Sequence, residues 1–146
     1  MKNSLKIIAT IIFLFSIGVF TGIGQESKLN SMDKQPVIEV YDFHTTNRCV
    51  TCKAIEANTK YTLETYFAEE LKSGKITFQV VNIDEKENFD LAKKFYASGT
   101  SLYLNVIQNG KEKQLELTQF AFMYGKDRSV FSKKLKEKIS KQLKNS

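Results

Sequence analysis

Cys49 and Cys52 are the only cysteines in the 146-residue chain, and Val50 and Thr51 between them give a Cys-x-x-Cys spacing. Residues three apart on a helix are neighbours across one turn, so sulfurs at these positions lie within bonding reach. The first turn of a helix has unpaired backbone N–H groups and a partial positive charge. A thiolate there is stabilised, and its pKa falls below the ~8.5 of a free cysteine. This assigns Cys49 as the attacking sulfur and Cys52 as the one that resolves a mixed disulfide formed at Cys49. Arg48 and Lys53 flank the pair, and either cation favours the anionic form further. A structural zinc site needs four ligands, more than two cysteines and one histidine supply. A purely structural disulfide is the bland alternative, although so short a loop constrains the unfolded chain little.

Two residues upstream belong to the same neighbourhood. Asp42 shares a strand face with Ile38 and Val40, where burial raises a carboxyl's pKa, and this suits a proton acceptor for Cys52. The competing reading leaves Asp42 partly hydrated and idle. His44, the only histidine, either tunes the thiolate or joins Cys49 and Cys52 as a third ligand for a soft ion such as Cu(I) or trivalent arsenic. Its plainer role is a satisfied polar residue at a strand end.

These residues need a strand before the motif and a helix after it. Val37 to Phe43 is rich in β-branched and aromatic residues on both alternating faces, as in a strand covered on both sides. Cys52 to Lys72 places Ile55, Leu63, Phe67 and Leu71 on one helical stripe, and Ser73-Gly74 ends it. Ile76 to Ile83 reads as a second strand. Asn88 to Ala97 reads as a second helix with Phe89, Ala92, Phe95 and Tyr96 inward. Leu102 to Gln108 is a third strand, and Asn109-Gly110 turns it into a fourth, Lys111 to Leu117. Thr118 to Gly125 is ambiguous between helix and loop. Asp127 or Ser129 caps a last helix whose Phe131, Leu135, Ile139 and Leu143 recur every four residues. The order β-α-β-α-β-β-α predicts parallel pairing of strands joined by a helix, with an antiparallel hairpin at the edge.

Asp42-Phe43, Cys49 to Cys52 followed by Lys53, Asn82-Ile83-Asp84, Lys94-Phe95 and the Gln108 to Lys111 turn together resemble a thioredoxin in the same order. The resemblance runs from Val37 to about Leu143 and implies a three-layer α/β/α sandwich on a mixed central sheet. Within that superfamily, the approach His44-Thr45-Thr46-Asn47-Arg48-Cys49 is similar to small exported ArsF-type proteins, subunits of nitrophenyl-compound nitroreductases. Such a subunit would pass electrons on, since no Gly-rich dinucleotide fingerprint is present and no cofactor is expected. Three departures stand out. Thioredoxins place a cis-proline opposite the dithiol, where Gly99-Thr100-Ser101-Leu102 has none, so Thr100 or Ser101 stands in at the substrate groove. Arg48 replaces the tryptophan that precedes the first cysteine. The lysine that accompanies the buried aspartate falls at Val80.

The rest of the chain bounds the setting. Lys2 and Lys6 precede an uncharged, apolar stretch from Ile7 to Ile23, and Gly22 and Gly24 suit a signal-peptide cut before Gln25. An uncleaved anchor is the alternative, because the 18 residues from Ile7 to Gly24 are near the lower limit for spanning a bilayer of ~30 Å. The expected organisation is therefore a signal segment over 1–24, a flexible leader over 25–36 and one domain over 37–146. The expected location is periplasmic or otherwise extracytoplasmic. The net charge of +6 falls to +4 without Lys2 and Lys6, too mild to argue for nucleic acid. The expected partners are protein or small-molecule thiols and disulfides, with a membrane electron donor if the direction is reducing. A monomer is expected. The lysines from Lys133 to Lys144 read as the solvated face of the last helix.

Overall fold

The computed structural model describes residues 35–144; the signal segment and nearly all of the leader expected from sequence lie outside them. Strand β1 (Val37–His44) sends Ile38, Val40 and Asp42 to one face and Tyr41 and Phe43 to the other, as the two-residue period of a strand requires. All five are buried, so the strand is covered on both sides. Helices α1 (Val50–Tyr66) and α2 (Ala68–Lys72) follow, then β2 (Ile76–Asn82), a 3-10 turn (Lys86–Asn88) and α3 (Phe89–Lys94). The chain continues through β3 (Ser101–Gln108), β4 (Lys111–Glu116), α4 (Thr118–Tyr124) and α5 (Arg128–Lys144).

The sheet has the order β2-β1-β3-β4. Strand β2 is parallel to β1, with Asp42 beside Val80, whereas β3 is antiparallel to both β1 and β4, with Asp42 beside Leu102 and Phe43 beside Ser101. One face carries the larger core, in which Ile38, Val40, Leu102 and Leu104 pack with Ile55 and Leu63 of α1 and Phe131, Leu135 and Ile139 of α5. On the other face Tyr41, Phe43, Val81, Phe95 and Tyr103 form an aromatic cluster that Leu91 of α3 joins. Each fully buried Leu, Ile or Phe side chain contributes about 1.5–3 kcal/mol. Layering, strand order and the helical crossover from β1 to β2 make this a thioredoxin-like α/β/α fold.

Several sequence expectations need correction. The helix expected from Cys52 to Lys72 begins earlier, at Val50, and breaks at Phe67, whose φ of −137° leaves the helical region while its ring stays in the core. The second helix is shorter than Asn88 to Ala97. Phe89 is exposed and Tyr96 is 89% exposed at a positive φ of 52°, so neither faces inward. Tyr96 occupies the left-handed position that commonly ends a helix, with the Ala97 N–H bonded to the Ala92 carbonyl. Strands β2 and β3, although joined by a helix, are antiparallel. A six-residue helix spans only about 9 Å, too little to carry the chain back along a strand, so it re-enters the sheet at the end it left.

Thr118 to Gly125, ambiguous from sequence, is mainly α4. The last helix is capped by Asp127, whose carboxylate accepts from the Val130 N–H at 3.0 Å; Ser129 lies inside the helix. The α4–α5 junction bears directly on the motif. Gly125 is buried against the first turns of α1, and its carbonyl accepts from Asn58 Nδ2 at 2.8 Å. Arg128 Nε donates to the same amide's oxygen at 3.0 Å, and the Thr62 and Ser132 hydroxyls share a bond of 3.0 Å deeper in the α1–α5 seam. A Cβ at Gly125 would stand 2.6 Å from the Ala121 carbonyl oxygen and 2.8 Å from Ile55 Cγ1. Gly125→Ala is therefore expected to lower stability by about 1–3 kcal/mol in denaturant unfolding, as overpacking typically does. An unchanged midpoint would show that the junction can yield.

Candidate active site

The motif sits where β1 leaves the sheet. His44 to Arg48 forms the connection to α1, and this loop is tied to the loop after β2. The Thr46 N–H donates to Asp84 Oδ2 at 2.7 Å, Asn82 Nδ2 donates to Thr46 Oγ1 at 3.2 Å, and the Ile83 N–H donates to the His44 carbonyl at 2.8 Å. The Thr46 N–H holds the Asp84 carboxyl below its ordinary value. Asn82-Ile83-Asp84, read from sequence as part of the resemblance, thus anchors the loop that presents the cysteines.

Cys49 is the N-cap of α1, with extended backbone angles, and its sulfur accepts the Cys52 N–H at 3.0 Å. The role usually filled by a serine or aspartate oxygen at an N-cap is here taken by sulfur. Cys49 and Cys52 are joined as a disulfide with a Cα–Cα distance of 5.1 Å, inside the usual range for such bonds. The two sulfurs differ in access: Cys49 is exposed beside the 81% exposed Val50, whereas Cys52 is only 6% exposed. A molecule arriving from solvent meets Cys49 first.

Beneath this turn lies an unusual charge cluster. Asp42 is fully buried on the β1 face that α1 covers, and neither carboxyl oxygen has a hydrogen-bond partner. Burial pushes its pKa up to about 7, with Arg48 pulling it down and Glu56 pushing it further up. The lysine position of the resembling family is Val80, in register with Asp42 on β2, so no cation comes from that strand. Arg48 supplies one instead. Its guanidinium pairs with Glu56 of α1 and lies 3.5 Å from the Cys52 carbonyl, while its Nε–H is buried without a partner.

Arg48, expected from its place beside the dithiol to favour the anionic form, is engaged by Glu56, which damps its pull on a thiolate. Glu56 was missed. The signal for it was an acid four residues after Cys52, one helical turn along on the same side. Lys53 is exposed.

The remaining candidates lie around the rim. His44 is half-buried with Nδ1 at 2.9 Å from the Thr45 carbonyl, which occupies that nitrogen. Among the described residues no group of three or more His, Cys, Asp or Glu is arranged to hold a metal ion, with Cys49 and Cys52 tied to each other as the disulfide. Register places Ser101 opposite Phe43, at the sheet end from which the motif loop departs, with Thr100 just before it. The Ser101 hydroxyl donates to the Gly99 carbonyl at 3.2 Å, bracing this segment in the absence of proline.

No protein-family model matches the sequence, and no curated protein matches it. Several solved structures are similar, two of which follow. A malarial protein shares 16% identity over 60% of this chain and 93% of its own, with a TM-score of 0.38. The thioredoxin of Fasciola hepatica shares 20% identity over 66% of this chain and 80% of its own, with a TM-score of 0.37. Neither assigns a role to any residue here.

The Asp42 shift has a consequence for stability. Between roughly pH 4 and pH 7 the unfolded chain has released this proton and the folded protein retains it, so stability falls as pH rises through that window and levels off above it. Asp42→Asn is expected to flatten this slope and to stabilise the oxidised protein above about pH 7 by a few kcal/mol. Urea unfolding midpoints at about pH 5 and about pH 8 test this; a difference between the two that persists in the variant would contradict it.

Proposed function

We propose that this protein is a thiol:disulfide oxidoreductase that works through the Cys49–Cys52 pair. The observation that carries the reading is the unequal access of two sulfurs in one helical turn, with the exposed one capped by a backbone N–H. In the reducing direction the Cys49 thiolate attacks a client disulfide, forms a mixed disulfide and releases one client thiolate. Cys52 then gives its proton to Asp42 and attacks the Cys49 sulfur, which releases the second client thiolate. Two electrons have passed to the client, and the protein is left with its own disulfide. Another dithiol must reduce that bond before the next cycle. Run backwards, the same steps oxidise a client dithiol, and the reduction potential of the pair sets the direction.

The finer elements of the proposal are location and partner. The basic start and apolar stretch before Gln25 support export, and outside the cytoplasm a reducing cycle draws its electrons from a membrane donor. The approach from His44 to Cys49 supports a dithiol subunit that hands electrons to a nitroreductase partner. Cell fractionation checks the first of these and co-purification the second.

The central test is turnover. The protein with a reducing dithiol is expected to accelerate reduction of insulin disulfides, and Cys49→Ser to abolish that acceleration. Cys52→Ser should instead accumulate a covalent mixed disulfide, visible by mass spectrometry of the intact complex. Full activity in Cys49→Ser would contradict the assignment. Tight stoichiometric Cu(I) or arsenite binding with no turnover would make the pair a soft-ion site instead.

A further inference from the structure

The buried carboxyl of Asp42 must change charge in every cycle, and a fold-buried acid with no hydrogen-bond partner needs something to make both states tolerable. Strand neighbours do not help: Val80 on β2 and Leu102 on β3 are apolar. His44, the next residue on the same strand face, holds the Thr45 carbonyl. The charges that act on Asp42 are Arg48 and Glu56, from the motif loop and from α1. Both side chains are mostly covered, with 17% and 31% of their surface exposed, so neither is an ordinary solvated surface charge.

We propose that Arg48 and Glu56 act together as positioning residues for proton transfer at Cys52, with the ion pair serving as the charge reservoir of Asp42. This rests on the oxidoreductase reading above. When Asp42 is ionised, the guanidinium offsets a carboxylate that has no other donor, and the open Nε–H of Arg48 is complementary to its open oxygens. When Asp42 takes the proton from Cys52 and becomes neutral, Glu56 remains as the counter-charge, so Arg48 is never buried unpaired. A buried charge stripped of its partner is among the most destabilising arrangements in a protein, and one cation set between two carboxyl groups keeps a partner whether Asp42 is ionised or neutral. The same guanidinium touches the Cys52 carbonyl, which fixes it to the helical turn where the proton leaves. Glu56 is the member of the trio with the most solvent access, so the proton accepted by Asp42 has its way out on that side.

The signs of the two substitutions are opposite. Glu56→Gln leaves Arg48 free to favour the Asp42 carboxylate, so the acceptor is ready at lower pH. Arg48→Met removes the favourable charge, so it is ready only at higher pH. Opposite charges within a few ångströms commonly move such midpoints by about one pH unit or more.

The experiment mixes the reduced full-length protein with an aromatic disulfide that releases a coloured thiolate. The fast phase reports attack by Cys49 and the second phase reports displacement by Cys52. The midpoint of the second phase's pH profile is expected to fall by about half a unit or more in Glu56→Gln, to rise by a similar amount in Arg48→Met and to return most of the way in Arg48→Lys. In an Asp42→Asn background Glu56→Gln should shift nothing. Coincident profiles for wild type, Glu56→Gln and Arg48→Met would overturn the inference while leaving the oxidoreductase reading intact. Absence of a second phase in the wild type would instead remove the reading beneath it. If Arg48→Met fails to fold, the side-chain carbon signal of Asp42 titrated by NMR in oxidised wild type and Glu56→Gln decides. A lower midpoint in the variant supports the inference, and an equal one contradicts it.

Discussion

Everything in this molecule that bears on chemistry depends on one backbone N–H, that of Cys52, pointing at the sulfur of Cys49. The contact exists because α1 begins at Val50, which makes Cys49 the cap of the helix rather than one of its interior residues. A capping sulfur sits at the positive end of the peptide dipoles and outside the helix barrel, where a reactive group is both stabilised as an anion and open to solvent. One turn later Cys52 falls inside the barrel and is buried. The different environments of the two sulfurs therefore follow from where the helix starts.

The fold exists to hold that start in place. Strand β1 is the second strand of the sheet, covered on both faces, and its end is fixed by pairing with β2 on one edge and β3 on the other. The loop beyond it is fastened to Asn82 and Asp84, and the far side of α1 is braced by Gly125, Asn58 and Arg128. None of these contacts involves a reacting atom, but each limits how far the first turn of α1 can drift. Asp42 is the one carboxyl among the buried described residues, set where an apolar side chain would be more stable, and Arg48 and Glu56 are the local compensation for it.

Much of this was legible in the sequence, for physical reasons that can be named. Strand β1 announced itself by β-branched and aromatic residues on both faces, and the β3–β4 hairpin by Asn109-Gly110, both with positive φ. The stripe from Phe131 to Ile139 marked the inner face of α5. Boundaries were harder. A break at Phe67 leaves no trace in a hydrophobic pattern, because the ring stays in the core on either side of it. Tyr96 misled because an aromatic at helical spacing is ordinarily core, whereas here the chain needed a left-handed residue to end α3. The antiparallel entry of β3 depends on the length of α3, and helix ends are the least determined feature of a sequence. In the site, spacing identified the cysteines and strand alternation placed Asp42 inward. The ion pair was hidden, since nothing local links Arg48 to a glutamate eight residues on; only the folded turn brings them together.

The central claim is that the position of Cys49 at the helix start makes it an activated thiolate. Its pKa in the reduced full-length protein, followed by the ultraviolet absorbance of the thiolate across a pH titration with Cys52→Ser isolating the signal, measures that directly. A midpoint well below the ~8.5 of an unperturbed cysteine is the result expected. A midpoint at or above that value would mean the helix start does not activate the sulfur, and the account of the site would be wrong.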